Sequence, residues 1–145
     1  MVDVLTSIQI NRPVSVVAAY AADPDHATEW YQNITSVNWV TSKPLQLGSK
    51  LAFKAQFLGR QMEYTYEVVE YDPGSKLVMR TAEGPFPMET IYTWKAVESG
   101  KTLMTLRNAG QPSGFSRLFK PVMEMMMRRA NRKDLALIKQ ILEQR

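Results

Sequence analysis

The last thirty-odd residues, 113–145, constrain this chain more than any other stretch. From Phe115 the apolar residues recur at helical spacing: Phe115, Leu118, Phe119, Val122, Met123, Met126 and Ala130. On a wheel of about 100° per residue they share one face, with Lys120, Glu124 and Arg128 off it. Ser113 suits the N-cap position. Pro121 follows inside the pattern and is expected to kink the helix, because it removes one backbone donor and crowds the preceding turn. A helix of about 30 residues spans roughly 45 Å at 1.5 Å per residue. In a chain of 145 residues, one domain by size, so long an element needs something to wrap around it.

The preceding hundred residues supply that wrapping. Val2, Val4, Thr6, Ile8 and Ile10 alternate with polar residues except at Leu5, which reads as a half-buried strand. Pro13 suits the first turn of a short helix with Val16, Val17, Tyr20 and Ala21 on its apolar side, and Asp23-Pro24 repeats the start signal for a second, about 26–31. Period-two patterning then persists through six strands. Their inward tracks are Thr35/Val37/Trp39, Leu51/Phe53/Ala55/Phe57, Met62/Tyr64/Tyr66/Val68, Leu77/Met79, Met88/Thr90/Tyr92/Trp94 and the run from Thr102 to Arg107. Turn signals at Gly59-Arg60, Asp72-Pro73-Gly74, Glu83-Gly84-Pro85 and Glu98-Ser99-Gly100 separate them. Short turns predict an antiparallel meander with the first strand closing one edge. The expected fold is α+β: a curved seven-stranded antiparallel sheet and two short helices gripping the long C-terminal helix.

Charge is unevenly placed. The net charge is +4, but from residue 110 onward eight Lys and Arg face three acids, whereas the first 109 residues hold ten basic and eleven acidic ones. Beyond Phe119 no aromatic residue interleaves with these cations to stack bases, so the pattern reads as the solvated back of an amphipathic helix and nucleic acid is not an expected partner. There are no cysteines, which removes disulfide and thiolate chemistry. No apolar run approaches membrane-span length and no secretory apolar region opens the chain, so stable membrane insertion is not expected and the cytoplasm is the expected location.

Motifs for metal, phosphate or nucleophile chemistry are absent, and no cofactor is expected. The sole histidine, His26, falls in the turn into the second helix without an evident orienting partner, as expected of a surface residue. Eight of nine methionines fall in strands or the terminal helix, where flexible thioethers suit either an irregular core or a pocket accepting varied ligands. Met125 and Met127, at opposite margins of the helical face, offer a homodimer contact or a lipid-facing patch.

Several stretches carry a resemblance over nearly the whole length. They are Ile8-x-Ile10-Asn11-Arg12-Pro13, Asp23-Pro24 followed by Trp30, Gly48, Tyr64-x-Tyr66-x-Val68, Asp72-Pro73-Gly74 with Leu77, Gly100-Lys101-Thr102 and the terminal helix. In these the chain resembles the superfamily of START domains, the birch-pollen allergen and the polyketide cyclase/dehydrase (SRPBCC) proteins. The resemblance implies the helix-grip fold, with an apolar cavity between sheet and long helix, entered near the two short helices and the loops opposite them. Its lining would come from Phe53, Phe57, Tyr64, Tyr66, Met79, Met88 and Tyr92 on the strands and Phe119, Met123 and Met126 on the helix. Gly84-Pro85-Phe86-Pro87 would lie near its mouth. Binding or transport of a small hydrophobic or amphipathic molecule is the implied function. The alternative is a cyclase/dehydrase-type enzyme acting on a polyketide or aromatic substrate. For it, Tyr64, Tyr66 and Tyr92 are candidate proton-handling groups, while Arg80 and Arg107, as anion anchors, fall on the solvent-facing track. Polar groups deep in the cavity would favour the enzyme, and an all-apolar lining the carrier.

Overall fold

The computed structural model describes residues 2–57, 59–111 and 119–145, with Phe57 described through its backbone alone. Alternating patterning becomes seven strands: β1 (Val2–Ile10), β2 (Ile34–Trp39), β3 (Lys50–Phe57), β4 (Arg60–Asp72), β5 (Lys76–Glu83), β6 (Met88–Glu98) and β7 (Lys101–Gly110). They form one antiparallel sheet in the order β1-β7-β6-β5-β4-β3-β2, so the meander is closed by β1 at one edge. Register is held because one face is buried and a one-residue slip would turn every apolar side chain outward. Thus Phe53 pairs with Tyr64, Val68 with Met79, Thr90 with Asn108 and Tyr92 with Leu106. Leu5, which interrupts the polar track of β1, remains exposed.

Between β1 and β2 lie α1 (Val14–Ala22), a single 3-10 turn (Pro24–His26) and α2 (Ala27–Trp30). Asp23 caps that turn by accepting from the Asp25 N–H at 2.9 Å. Trp30 is fully buried in the main core with Val17, Leu51, Leu77, Met104 and Leu106. His26 is held more closely than its sequence context suggests. Its Nδ1 lies 3.1 Å from Glu29 Oε1, and its ring stacks on Tyr20 with centroids 4.3 Å apart.

The long helix is α3 (Lys120–Glu143). Both of its ends are fastened near β1. At the start, Glu124 accepts from the Asp3 N–H at 2.9 Å. At the finish, Arg12 Nη1 donates to the Arg145 carbonyl at 2.9 Å and to the Leu142 carbonyl at 2.7 Å, which also accepts from the Arg145 N–H at 3.4 Å. Glu143 accepts from the Asn11 N–H at 2.8 Å. Of the described helices, none is long and apolar enough to cross a membrane.

Two details of α3 depart from expectation. Pro121 sits in its first turn, where the missing N–H costs no helical bond, so it begins the helix and does not kink it. The buried face is also rotated. Met123, Asn131, Asp134, Leu135, Ile138 and Leu142 are buried, while Phe119, Val122 and Met126 are exposed. The densely packed end sets the rotation: Leu135, Ile138 and Leu142 lie in the main core. Carried back from Ile138 at about 100° per residue, Met127 and Met123 turn inward, and Met126 and Val122 lie more than about 100° away. Met125 is exposed and Met127 half-buried. The expected N-cap Ser113, and Phe115 and Leu118, lie outside the described residues.

Candidate functional site

A cavity of about 160 Å³ lies between the concave face of the sheet and the first half of α3. Of the expected lining residues, Phe53, Tyr64, Tyr66, Met79, Met88, Tyr92 and Met123 surround it. Phe119 and Met126 do not: the rotation of α3 leaves them 57% and 40% exposed. The Phe57 side chain lies outside what is described. Lining residues grade from buried Tyr66, Met79 and Tyr92 to half-buried Met62, Phe86, Met88 and Gly110 and exposed Gln56. The cavity therefore opens at the β3–β4 hairpin and the β5–β6 connection, which includes Gly84-Pro85-Phe86-Pro87. That connection packs tightly: a Cβ at Gly84 would sit 3.0 Å from Tyr64 Cβ and 3.0 Å from Thr81 Cγ2.

Aromatic rings make much of the wall. Phe53 and Tyr64 stack at 5.4 Å between centroids, and Tyr66 meets both edge-on at 5.6 and 5.0 Å. Such geometry adds to apolar burial through the ring quadrupoles. Trp30 backs the other side, 4.1 Å from Tyr31 and 5.9 Å from Tyr92.

The wall is not all apolar. The Tyr66 hydroxyl lies 2.9 Å from Thr90 Oγ1, which donates to Asn108 Oδ1 at 2.7 Å, and Asn108 Nδ2 donates to Asn131 Oδ1 at 3.2 Å. This chain of side chains links β4, β6, β7 and α3. Among the described residues, Asn131 Nδ2 ends it without a partner. A second pair, Tyr31 and Tyr92, joins hydroxyl to hydroxyl at 2.5 Å. Asp134, only 3% exposed, accepts from the Gln32 N–H at 3.1 Å and also borders the cavity.

Burial governs the ionisation of this cluster. Desolvation pushes the Asp134 carboxyl up to about 7, the Gln32 N–H offsetting part of the rise. The same desolvation raises Tyr31, Tyr64 and Tyr92 well above the ordinary phenol range, and it lifts Tyr66 to about 12 against the opposing effect of its Thr90 contact. All four tyrosines are thus neutral donors or acceptors at neutral pH, and Asp134 alone titrates there. Arg80 and Arg107 stay on the outer face, paired with Glu89 and Asp3, and do not reach the cavity.

Of the polar residues lining the cavity, sequence reasoning did not single out Tyr31, Asn33, Gln56, Glu89, Asn108, Asn131 or Asp134, and it placed Thr90 only on the inward track of its strand. A signal for two of them exists. Positions 123, 127, 131, 134, 138 and 142 repeat at intervals of three and four, so Asn131 and Asp134 interrupt the stripe that also holds Leu135. A second, more polar recess of about 370 Å³ adjoins the cavity and shares Asn33, Gln56, Ala130 and Asp134 with it. Gln32, Met126, Arg129 and Lys133 complete its rim with Gly59.

Comparison with known proteins gives the fold its relatives. The chain is similar in structure to the Zhui aromatase/cyclase from Streptomyces sp. R1128, with a TM-score of 0.82 and 14% identity over 99% of this chain and 94% of that one. It is equally similar to a START superfamily protein from Mycobacterium smegmatis, with a TM-score of 0.81 and 11% identity over 98% and 97% of the two chains. A protein from Thermus thermophilus gives a TM-score of 0.81 and 17% identity over 95% and 94%. At these identities the likeness concerns the helix-grip, START-like fold. No curated protein sequence matches the chain. The family model described as polyketide cyclase/dehydrase and lipid transport matches residues 1–143. With nearly its whole length matched, the chain belongs to the polyketide cyclase/dehydrase and lipid transport family.

Proposed function

We propose that this chain binds a small hydrophobic or amphipathic molecule in the cavity between the sheet and α3. One observation carries the reading: a partly open space of about 160 Å³, walled by Phe53, Tyr64, Tyr66, Met79, Tyr92 and Met123, that the protein's own side chains leave unfilled. That volume matches a cavity of about 150 Å³ known to stay dry and accept benzene. Apolar burial at roughly 25 cal/mol per Å² supplies the affinity, and the hydroxyls and amides of the polar chain orient the ligand. Native mass spectrometry of the purified protein, with denaturing extraction, identifies what it carries. Calorimetric titration with octan-1-ol then tests the empty protein. Saturable uptake that is lost in Ala130→Phe, which places a ring in the cavity, supports the reading; absence of any uptake refutes it.

A second reading, a cyclase/dehydrase-type enzyme, is favoured by the buried acid. Asp134 stands with four neutral tyrosines in a largely desolvated space, and a carboxyl titrating near 7 is suited to give or accept a proton at neutral pH. Carbon–carbon bond formation within a poly-β-ketone chain, followed by loss of water, is the reaction class this suits. Its test is turnover of a poly-β-ketone thioester by the parent and by Asp134→Asn. Product formation by the parent that Asp134→Asn abolishes, with octan-1-ol uptake intact, supports it. Absence of turnover by the parent leaves the binding reading alone.

A further inference from the structure

The polar recess beside the cavity mouth has no role in holding an apolar body, and its residues differ in kind from those of the cavity. We infer that it is the seat of an anionic head group, so that the ligand of the cavity is an amphipathic anion: an apolar body inside, with a carboxylate or phosphate outside. The inference rests on the binding reading above and adds the chemistry of the ligand's exposed end.

Three observations lead there. First, the two spaces are continuous, since Asn33, Gln56, Ala130 and Asp134 border both. A molecule longer than the cavity has to emerge into the recess. Second, the recess presents cations and amides. Arg129 and Lys133 stand one helical turn apart on α3, facing Gln32 and Gln56 from the α2–β2 connection and β3. Third, their charge is not neutralised: among the described residues neither Arg129 nor Lys133 is in an ion pair, a state they share with Lys50, Lys95, Lys120, Arg128 and Arg132, but these two alone line the recess. A guanidinium and an ammonium about four residues apart on a helix lie on one side of it and reach a common anion. The one acid of the recess lining, Asp134, is buried at its floor, where desolvation favours the protonated form and weakens its repulsion of an incoming anion.

The test uses three probes with the same eight-carbon body: octanoate, octyl phosphate and octan-1-ol. They are titrated calorimetrically into the protein at about pH 6, below the Asp134 midpoint and above that of an aliphatic carboxylic acid. At least one anion is expected to bind about tenfold tighter than the alcohol, with the preference fading as salt rises. Which anion is tighter separates a free carboxylate from a phosphate head. The double variant Arg129→Gln/Lys133→Gln changes two exposed side chains and is expected to keep the parent's melting temperature. It should lose about tenfold in anion affinity and keep its octan-1-ol affinity within about twofold. Equal binding of all three probes, or anion binding unchanged in the double variant, overturns the head-group assignment while leaving cavity binding intact. Failure of octan-1-ol itself to bind, with both anions also silent, overturns both.

Discussion

Replacing Asp134 with Asn should make the protein more stable, and by an amount that depends on pH. In the folded chain the carboxyl is buried and its midpoint is raised from 3.8 to about 7. The unfolded chain releases that proton near 3.8, while the native state keeps it until about 7. Between those values the unfolded state binds fewer protons, so stability falls as pH rises through the window. At about 1.4 kcal/mol per pH unit, three units amount to about 4 kcal/mol. Asparagine keeps the oxygen that accepts from the Gln32 N–H and never ionises. Parent and variant should therefore unfold at similar urea concentrations near pH 4. The variant should gain progressively, reaching an advantage of about 4 kcal/mol near pH 8. Subtracting one curve from the other cancels every other titrating group that the two chains share. A gap that does not change between those pH values, or that favours Asp134 at high pH, would refute the claim that this carboxylate is desolvated in the folded state.

Other perturbations test the packing around the site. Met126→Ala removes an exposed side chain and should change urea stability by no more than about 0.5 kcal/mol, whereas Met123→Ala, one turn earlier and buried, should cost about 2–5 kcal/mol. Equal losses would contradict the rotation of α3. Thr90→Val removes the hydroxyl between Tyr66 and Asn108, leaving buried polar groups short of partners at a cost of about 1–3 kcal/mol each by thermal or urea unfolding. Gly84→Ala should destabilise by about 1–3 kcal/mol, because its methyl would press on Tyr64 and Thr81, and it should weaken octan-1-ol uptake by shifting the Tyr64 wall.

The strands were legible because a sheet with one buried face leaves a period-two record, and each turn carries a residue suited to it: Gly59, Gly74 and Gly100 adopt φ of 74°, 87° and 75°. From β3 to β7 the strand order followed from short connections, and β1 took the edge that the meander left open. The facing of α3 was not legible in its first half, since Met123, Met125, Met126 and Met127 offer apolar side chains to several directions and a wheel drawn through them has no sharp edge. Only downstream, where Leu135, Ile138 and Leu142 enter the main core, does the helix acquire a defined rotation. An apolar pattern names a face only where polar residues exclude the alternatives.

The polar members of the site escaped for the converse reason. Hydrophobic periodicity treats a polar residue as evidence of a solvated face, so Asn131 and Asp134 read as interruptions of a stripe. Thr90 and Asn108 likewise read as ordinary members of strands. Yet burying Asn131 and Asp134 against a cavity costs stability that an all-apolar face would not, and the pH dependence of Asp134 measures that cost directly. Local sequence rules are broken at functional sites because a site needs groups that a core does not. Here the break falls where α3 meets Tyr66, Thr90 and Asn108 on the sheet, so the polar chain spans the cavity from wall to wall. An apolar filler would have served packing better at each of those positions. All of them border one unfilled space, and the proposed ligand would account for that if it had something polar to offer in return.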